Sequence, residues 1–307
     1  MKDYNYIKNL DMSTITEVKE YGTSTTSPEA SIVIVTYNID KRLLAQNLDS
    51  LSKQTNKDFE ILIVDNSDKR DIRPIVSKYV LKYIKLNKNY GLSLGRNVGI
   101  KCAQGNIIIF LDDDAIPARD FVEKHIAAYK YNIFGLRGKS LPRTSTIYNY
   151  LTSHYDLGDQ IIPYVVNLEG NSSFKRDILI KIGGFNPEIK EGGIYEGTEL
   201  TYRIVMRYND KNSLVYYPDA IIYHDYSNSF VKYLKKQIRS VKHRKILKKR
   251  FPDIFKFRSE YDIHPKKMGE NNLSVIIKLK LRMIRKLTNN ILKVYNFLEK
   301  HFEIDPF

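Results

Sequence analysis

The feature that most constrains the fold is a regular alternation of short apolar runs with helical patterns, which begins at residue 31. The apolar runs are rich in Ile, Val and Leu and cover residues 31–37, 59–65, 82–86 and 106–111. The helical patterns between them cover residues 41–53, 72–80 and 93–103. Continuously apolar strands separated by helices are typical of a mostly parallel sheet that is covered on both faces. The sequence therefore predicts an α/β fold.

Polar residues follow three of the predicted strands at the point where each strand ends. They are Tyr37-Asn38, Asp65-Asn66 and Asp112–Asp114. In an open parallel sheet, ligands bind in the crevice beyond the carboxyl ends of the strands. We therefore expect these three clusters to converge on one binding edge.

The acidic run Asp112–Asp114 stands directly after an apolar strand, although adjacent carboxylates repel one another. Hard divalent cations such as Mg²⁺ or Mn²⁺ take oxygen ligands, usually one or two carboxylates together with phosphate groups of the substrate. Such an ion would offset the repulsion. The position of the run predicts a metal site that carries a diphosphate, whereas the alternative is an ordinary solvated acidic loop.

The charge balance favours an anionic partner. The chain carries 50 Lys and Arg against 35 Asp and Glu, which gives a formal charge of +15. Nucleic acid, an acidic membrane surface and phosphorylated small molecules all fit such a balance. The 23 tyrosines would also allow base stacking. We nevertheless expect no nucleic-acid partner, because the basic residues are localised and the acids at the predicted binding edge would repel it.

Cysteine usage and hydropathy predict the compartment. The single cysteine, Cys102, cannot form an internal disulfide, which fits a reducing environment. The first residues lack the basic-then-apolar pattern of a signal peptide. No apolar run approaches the roughly 18 residues that a membrane-spanning helix needs. We therefore expect a cytoplasmic protein.

The predicted organisation has three parts. They are a polar N-terminal segment (1–28), an α/β domain (29–227) and a basic, mainly helical C-terminal region (228–307). Within the α/β domain, helices are predicted over 119–130, 176–185 and 197–208, and a strand near 133–137. Two short strands are predicted around Pro218, because proline interrupts strand pairing.

The C-terminal region contains two predicted helices, 228–250 and 272–302. In the second, apolar residues recur at helical spacing with basic residues between them: Ile277, Leu281, Ile284, Ile291, Tyr295, Leu298 and Phe302. A basic amphipathic helix is typical of a peripheral membrane element. The alternative is that the apolar face packs on the catalytic domain or on a second copy of the chain.

Five segments together resemble the nucleotide-binding half and acceptor side of family 2 glycosyltransferases. They read "SIVIVTYN", "SLSKQTNKDFEILIVDNSD", "NYGLSLGRNVGI", "IIIFLDDDAIP" and "NSSFKRDILIKIGGFNPE". The resemblance covers about residues 29–227 and implies the GT-A fold, a Rossmann-like sheet flanked by helices. It implies an inverting transfer of a sugar from a UDP- or dTDP-sugar to an acceptor hydroxyl, dependent on Mn²⁺ or Mg²⁺. The acceptor would be a lipid carrier or glycan, in surface polysaccharide or glycolipid assembly at the inner face of the plasma membrane.

The resemblance also implies roles for individual residues. The residues that would contact the nucleotide sugar are Thr36, Tyr37, Asn38, Asp65, Arg96, Asn97, Asp112 and Asp113. The metal would be held by Asp112 and Asp114, with His224 near the metal or the diphosphate. Structural alternatives stay open for four of these residues. In these alternatives, Asp65 would only cap its loop and Arg96 would pair with a surface acid. Asn97 would lie on the surface of a helix, and His224 would lie at the edge of a domain.

The sequence departs from the family pattern at the expected general base. Inverting members carry the base in a Glu-Asp dipeptide within a pattern like "EDxDLxxR", whereas this chain reads "EGTELTYR" over residues 196–203. Gly197 stands where the aspartate is expected and cannot accept a proton. We assign the base to Glu196, with Glu199 as the second candidate. The alternatives are that both are first-turn acids favoured by the helix dipole, that the acceptor needs no strong base, or that the protein binds glycan or a partner without catalysis.

Overall fold

The structure is a computed structural model that describes residues 4–302, apart from 24–25, 153–154, 190–194 and 261–272. Residues 261–272 and 303–307 of the predicted C-terminal helical region lie outside the described residues. Two compact units are present. The first comprises Met1–Ser140 with Asp159–His224, and the second comprises Leu141–Gly158 with Asp225–Phe307.

The strands are β1 (Ile15–Tyr21), β2 (Ala30–Thr36), β3 (Phe59–Asp65), β4 (Leu81–Leu86), β5 (Ile107–Leu111), β6 (Ile116–Pro117), β7 (Gly135–Leu141), β8 (Ile162–Pro163), β9 (Asn171–Lys175) and β10 (Leu214–Tyr223). The α-helices are α1 (Lys41–Ser52), α2 (Arg73–Val76), α3 (Leu92–Cys102), α4 (Phe121–Ala127), α5 (Arg176–Ile182), α6 (Glu196–Tyr208), α7 (Phe230–Arg250), α8 (Pro252–Glu260) and α9 (Val275–Phe302).

The described strands form one mixed sheet in the order β1-β4-β3-β2-β5-β9-β7-β10-β6, and β8 pairs with β10. Strands β4, β3, β2 and β5 are parallel, as the apolar runs predicted. Strand β1 is antiparallel to β4, and β9 is antiparallel to β5. The predicted α/β fold with a mostly parallel sheet is therefore confirmed for the half that carries the nucleotide-type motifs.

Helix α3 lies unusually close to the sheet because two glycines face β2. A β-carbon added at Gly99 would lie 2.2 Å from Val33 Cγ1, and one added at Gly95 would lie 2.6 Å from Val35 Cγ1. Any larger side chain would push the helix away. Arg96 and Asn97 follow Gly95 on this helix. The close packing therefore fixes their positions beneath the binding edge.

One strand prediction was wrong. Residues Leu214–Tyr223 form a single strand, β10, that passes through Pro218. Val215 and Tyr216 pair with β8, and Ile222 and Tyr223 pair with β6. Pro218 lies between these two pairings, so its missing N–H removes no bond to either short strand.

The second unit is built from α7, α8, α9 and the segment 141–158. Asp225 organises its start by accepting hydrogen bonds from Arg143 N at 3.0 Å, from Thr144 N and Oγ1 at 2.9 Å each, and from Asn149 Nδ2 at 2.7 Å. Lys245 of α7 and Glu299 of α9 form an ion pair at 2.6 Å. No helix among the described residues combines the length and the apolar character that crossing a membrane requires.

Candidate active site

The acidic run forms a tight turn at the carboxyl end of β5. Ala115 N donates to Asp112 O at 3.2 Å, which closes the turn. The fully buried Asn47 of α1 donates to Asp112 O at 3.0 Å and to Ala115 O at 2.7 Å. The turn is thus held by the sheet on one side and by α1 on the other, so the positions of its carboxylates are fixed by buried contacts.

His224 reaches the acidic turn through strand pairing. Ile116 of β6 pairs with Tyr223 of β10, which places the next residue, His224, beside Asp114. His224 Nε2 lies 3.3 Å from Asp114 Oδ1. One side-chain ligand atom each of Asp112, Asp114 and His224 lie within 4.8 Å of one another. The structure therefore brings together the three residues that the sequence analysis assigned to the metal.

The electrostatics of the turn favour a cation. Burial raises the pKa of Asp112; His224 and Arg96 lower it, and the charges of Asp114 and Glu169 raise it. Burial and the charge of Asp114 raise the pKa of Asp113 to about 7. Two carboxylates and an imidazole at this spacing suit Mn²⁺ or Mg²⁺, which accept oxygen ligands and tolerate one imidazole. The residues present therefore fit a divalent metal.

The residues after β2 link two loops of the binding edge. Thr36 is fully buried, and Tyr37 is 48% exposed. Asn38 adopts a left-handed backbone, with φ of 51°. Its backbone N donates to Ser67 Oγ at 2.9 Å and its Nδ2 donates to Asp68 Oδ1 at 2.7 Å. Asn38 thereby ties the loop after β2 to the loop after β3, and Tyr37 presents its ring at the surface.

Asp65 is a buried acceptor for three donors at the end of β3. It is 1% exposed. Its Oδ1 accepts from Ser67 N at 2.7 Å, and its Oδ2 accepts from Tyr83 Oη at 2.7 Å and from Lys85 Nζ at 3.1 Å. These contacts include the loop cap that was the structural alternative for this residue. Lys85 also bonds Ser67 O, so the loop is held from both sides.

Arg96 and Asn97 lie side by side on α3 in different surroundings. Arg96 is 4% exposed, with its guanidinium 5.2 Å from the centre of the Phe185 ring. Its Nη1 is buried without a hydrogen-bond partner among the described residues. Asn97 donates to Phe185 O and accepts from Phe185 N, both at 2.8 Å. Asn97 therefore fastens α3 to the loop after α5, whereas Arg96 offers a buried donor near the acidic turn.

The two candidate bases at the start of α6 are both buried. Glu196 is 1% exposed and Glu199 is 3% exposed. Both oxygens of Glu199 accept from Arg203, each at 2.8 Å. Arg203 also donates to Ile182 O at 2.8 Å and to Gly184 O at 2.6 Å. Glu199 is thus committed to an ion pair that anchors α6 to the loop after α5.

One acid of this site, Glu169, was not predicted from the sequence. It lies just before β9 and is 6% exposed. Its Oε1 accepts a hydrogen bond from Gly197 N at 2.6 Å. The only signal in the sequence is an acid next to Gly170, which follows no spacing rule. The contact depends on the packing of the β9 loop against the start of α6.

The sheet topology and the acidic turn at the end of β5 are those of the GT-A fold. Residues 31–182 match the family described as Glycosyl transferase family 2. Through these residues the chain belongs to that family, as the five sequence segments indicated.

Three similar proteins illustrate the match. The uncharacterized glycosyltransferase YfnE of Bacillus subtilis is 30% identical over 106 residues, which cover 33% of this chain and 27% of YfnE. The mannosyltransferase PcManGT of Pyrobaculum calidifontis, solved with GDP-Man and Mn²⁺, superposes with a TM-score of 0.56 at 17% identity, over 92% of this chain and 84% of that one. Residues 1–349 of S. aureus TarS, solved with UDP, give a TM-score of 0.50 at 19% identity, over 70% and 65% of the two chains. The two structural likenesses support the fold.

Proposed function

We propose that this protein is a metal-dependent, inverting glycosyltransferase. Its α/β domain (29–227) would transfer a sugar from a UDP- or dTDP-sugar to a hydroxyl of a lipid-linked or glycan acceptor. The process would be surface polysaccharide or glycolipid assembly, on the cytoplasmic side of the membrane. The observation that carries the proposal is the convergence of Asp112, Asp114 and His224 at the carboxyl end of β5 in a family 2 domain.

The buried groups around the cluster support a diphosphate at this edge. Asp112, Asp114 and His224 would hold Mn²⁺ or Mg²⁺, and a bound ion would stabilise the charge that develops on the leaving diphosphate. Arg96 offers a buried guanidinium nitrogen that has no hydrogen-bond partner among the described residues. A phosphate oxygen is a natural acceptor for such a group. The exposed ring of Tyr37 and the loop that Asn38 holds would line the nucleotide side, with Asp65 near the base.

Inversion requires a carboxylate that removes the proton from the acceptor hydroxyl. The family pattern at the start of α6 predicts this role for Glu196, or secondarily for Glu199. The bidentate contact of Glu199 with Arg203 argues against the second choice. Glu196 stays a prediction, and the rate of Glu196→Gln tests it directly.

Donor binding is the first test of the proposal. The parent protein and Asp114→Ala are melted with a panel of UDP-, dTDP- and GDP-sugars, with and without Mn²⁺. One donor at a hundredfold excess over its dissociation constant is expected to stabilise the parent by about 2.7 kcal/mol, only in the presence of metal. Asp114→Ala is expected to lose this response, because it removes one ligand of the ion.

Asp120→Ala is the matched control, since it removes a carboxylate outside the cluster, which within the described part of the chain is paired only with Lys124 at 3.9 Å. It should respond like the parent. No stabilisation by any sugar nucleotide under any metal condition would contradict the proposed function. A salt-sensitive shift with random DNA in the same assay would favour nucleic-acid binding, and donor binding without turnover would favour a catalytically impaired glycan-binding protein.

We also propose a peripheral contact of α9 with anionic membrane. The apolar face that the sequence analysis described contains the buried Leu281 and Tyr295, and α9 contacts α7 and the segment 147–151, so this face packs within its own unit. A second apolar row on α9 is exposed: Ile276, Leu279, Met283, Leu287, Val294 and Phe297, each at least 51% exposed. The exposed basic residues Lys280, Arg282, Lys286 and Lys293 accompany it. Apolar side chains flanked by basic ones match an anionic bilayer surface.

Cosedimentation with phosphatidylglycerol-containing vesicles tests this contact. The parent is expected to bind at low salt and to be released at high salt, since each well-placed Lys or Arg adds roughly 1 kcal/mol at an anionic surface. Replacing Met283 and Leu287 by glutamate should abolish binding. Met206→Glu, on α6 with a side chain 50% exposed, is the matched control and should bind like the parent. Concentration-dependent dimerisation without vesicle binding would contradict the membrane contact.

A further inference from the structure

We propose that Glu169 is the general base of the transfer reaction and replaces the aspartate that family members carry at the position of Gly197. The inference rests on the proposed function, because it assigns a residue to that reaction. Glu169 comes from a different part of the chain, directly before β9, and meets α6 at its first turn.

The geometry at Gly197 shows why a side chain there and Glu169 exclude each other. Gly197 N donates to Glu169 Oε1 at 2.6 Å. A β-carbon at position 197 would lie 2.6 Å from the same oxygen and 2.2 Å from Val166 O. Distances this short are not tolerated between non-bonded heavy atoms. The carboxylate of Glu169 therefore lies against the place from which an aspartate side chain would leave α6.

Glu169 also stands beside the acidic turn. Its neighbour Gly170 packs so tightly on Asp112 that an added β-carbon would lie 1.9 Å from Asp112 Cγ. Asp112 N donates to Gly170 O at 3.1 Å. Glu169 is thus joined through its neighbour Gly170 to the turn that carries Asp112.

The hydrogen bonds of Glu169 leave one oxygen for the reaction. Oε1 is oriented by Gly197 N, and Ser172 Oγ donates to the backbone O of Glu169 at 2.9 Å. No second hydrogen bond to the Glu169 carboxylate is formed by the described part of the chain. By contrast, Arg203 occupies both oxygens of Glu199. A carboxylate fixed through one oxygen presents the other in a defined direction, which general-base catalysis needs.

The acceptor oxygen gives its proton to Glu169 Oε2 while it forms a bond to the anomeric carbon of the donor. The bond from that carbon to the diphosphate oxygen breaks, and its electron pair leaves with the nucleoside diphosphate. The proton on Glu169 then passes to solvent, which restores the carboxylate.

Release of nucleoside diphosphate from the sugar nucleotide, with water as the acceptor, tests the assignment in the full chain. Glu169→Gln keeps the size of the side chain and an oxygen for Gly197 N. It is expected to retain the metal-dependent thermal shift with donor while the release rate falls between roughly 10²- and 10⁴-fold. Added formate is expected to restore part of the rate of Glu169→Ala, because it supplies a carboxylate; a purely structural residue would show no such rescue. Glu196→Gln and Glu199→Gln serve as comparison variants.

Three outcomes overturn the proposal. Donor binding and diphosphate release by Glu169→Gln within threefold of the parent rate overturn Glu169 as the base and leave the transferase function standing. If the rate of diphosphate release falls in Glu196→Gln and is retained in Glu169→Gln, the base is Glu196. A parent protein that binds donor but releases no diphosphate overturns the base and the proposed function together.

Discussion

Replacing Arg203 by methionine is expected to lower the free energy of unfolding by about 3 to 5 kcal/mol. The substitution leaves the Glu199 carboxylate, which is 3% exposed, without its cationic partner. It also removes the donors to Ile182 O and Gly184 O. Burial of an uncompensated charge is costly, and a buried acceptor without a donor adds to that cost. Urea denaturation of the parent and the variant measures the difference.

A second ion pair of the same spacing provides the control. Asp177 and Lys181 on α5 are also four residues apart, and their charged atoms are 2.9 Å apart, but each side chain is 58% exposed. Lys181→Met is expected to change stability by less than about 1 kcal/mol, because water screens the pair. Combining Arg203→Met with Glu199→Leu should cost less than Arg203→Met alone, since no buried charge remains. Equal losses for Arg203→Met and Lys181→Met would contradict the anchoring role of the buried pair.

Replacing Gly170 by alanine is expected to abolish metal-dependent donor binding while the fold persists. The new β-carbon would lie 1.9 to 2.2 Å from the carboxylate atoms of Asp112. Asp112 has a short side chain, so its carboxylate must leave its position and the three-residue cluster is broken. Local overpacking of this kind costs roughly 1 to 3 kcal/mol. Mn²⁺-dependent thermal shift with donor, together with urea denaturation, separates the two effects.

Gly91→Ala is the matched control for this change. Gly91 has φ of +82°, and no atom lies within 4 Å of an added β-carbon. Alanine there strains the backbone by roughly 1 to 3 kcal/mol without touching the cluster, because positive φ together with ψ of 174° is a region that glycine alone adopts readily. The metal response should therefore survive in Gly91→Ala and disappear in Gly170→Ala. A normal Mn²⁺ response in Gly170→Ala would show that the position of Asp112 is unimportant for the ion.

The parallel half of the fold could be predicted because its strands are buried on both faces. Residues 59–65 form β3 as predicted, and β2, β4 and β5 begin or end within one residue of the predicted limits. Strand β1 was not predicted, since most of its residues are polar or half-exposed on the edge of the sheet. Helix α2 is only four residues long, because Ser77–Val80 continue as turns instead of helix.

The residues of the site also differ in how far they could be predicted from the sequence. Asp112 and Asp114 were predicted because they follow directly from a strand end, and His224 was placed by resemblance and joins them in the structure. Asn97 was assigned to the ligand, yet both polar atoms of its side chain bond the backbone of Phe185. Glu169 was not predicted, because its place in the site depends on a hydrogen bond with Gly197, which lies on another element. Contacts between segments distant in sequence leave no periodic signal along the chain.

The pairing of β6 with β10 has a consequence for how the chain acquires its native state. Strands β2 to β5 follow one another along the chain, whereas His224 lies beside the aspartates only when β10 pairs with β6. A partly folded chain holding the parallel half alone would carry the two aspartates without the imidazole. An ion that prefers the complete cluster would then stabilise the finished sheet over that intermediate. A bound ion would in this way link the free energy of unfolding to the pairing of β6 with β10.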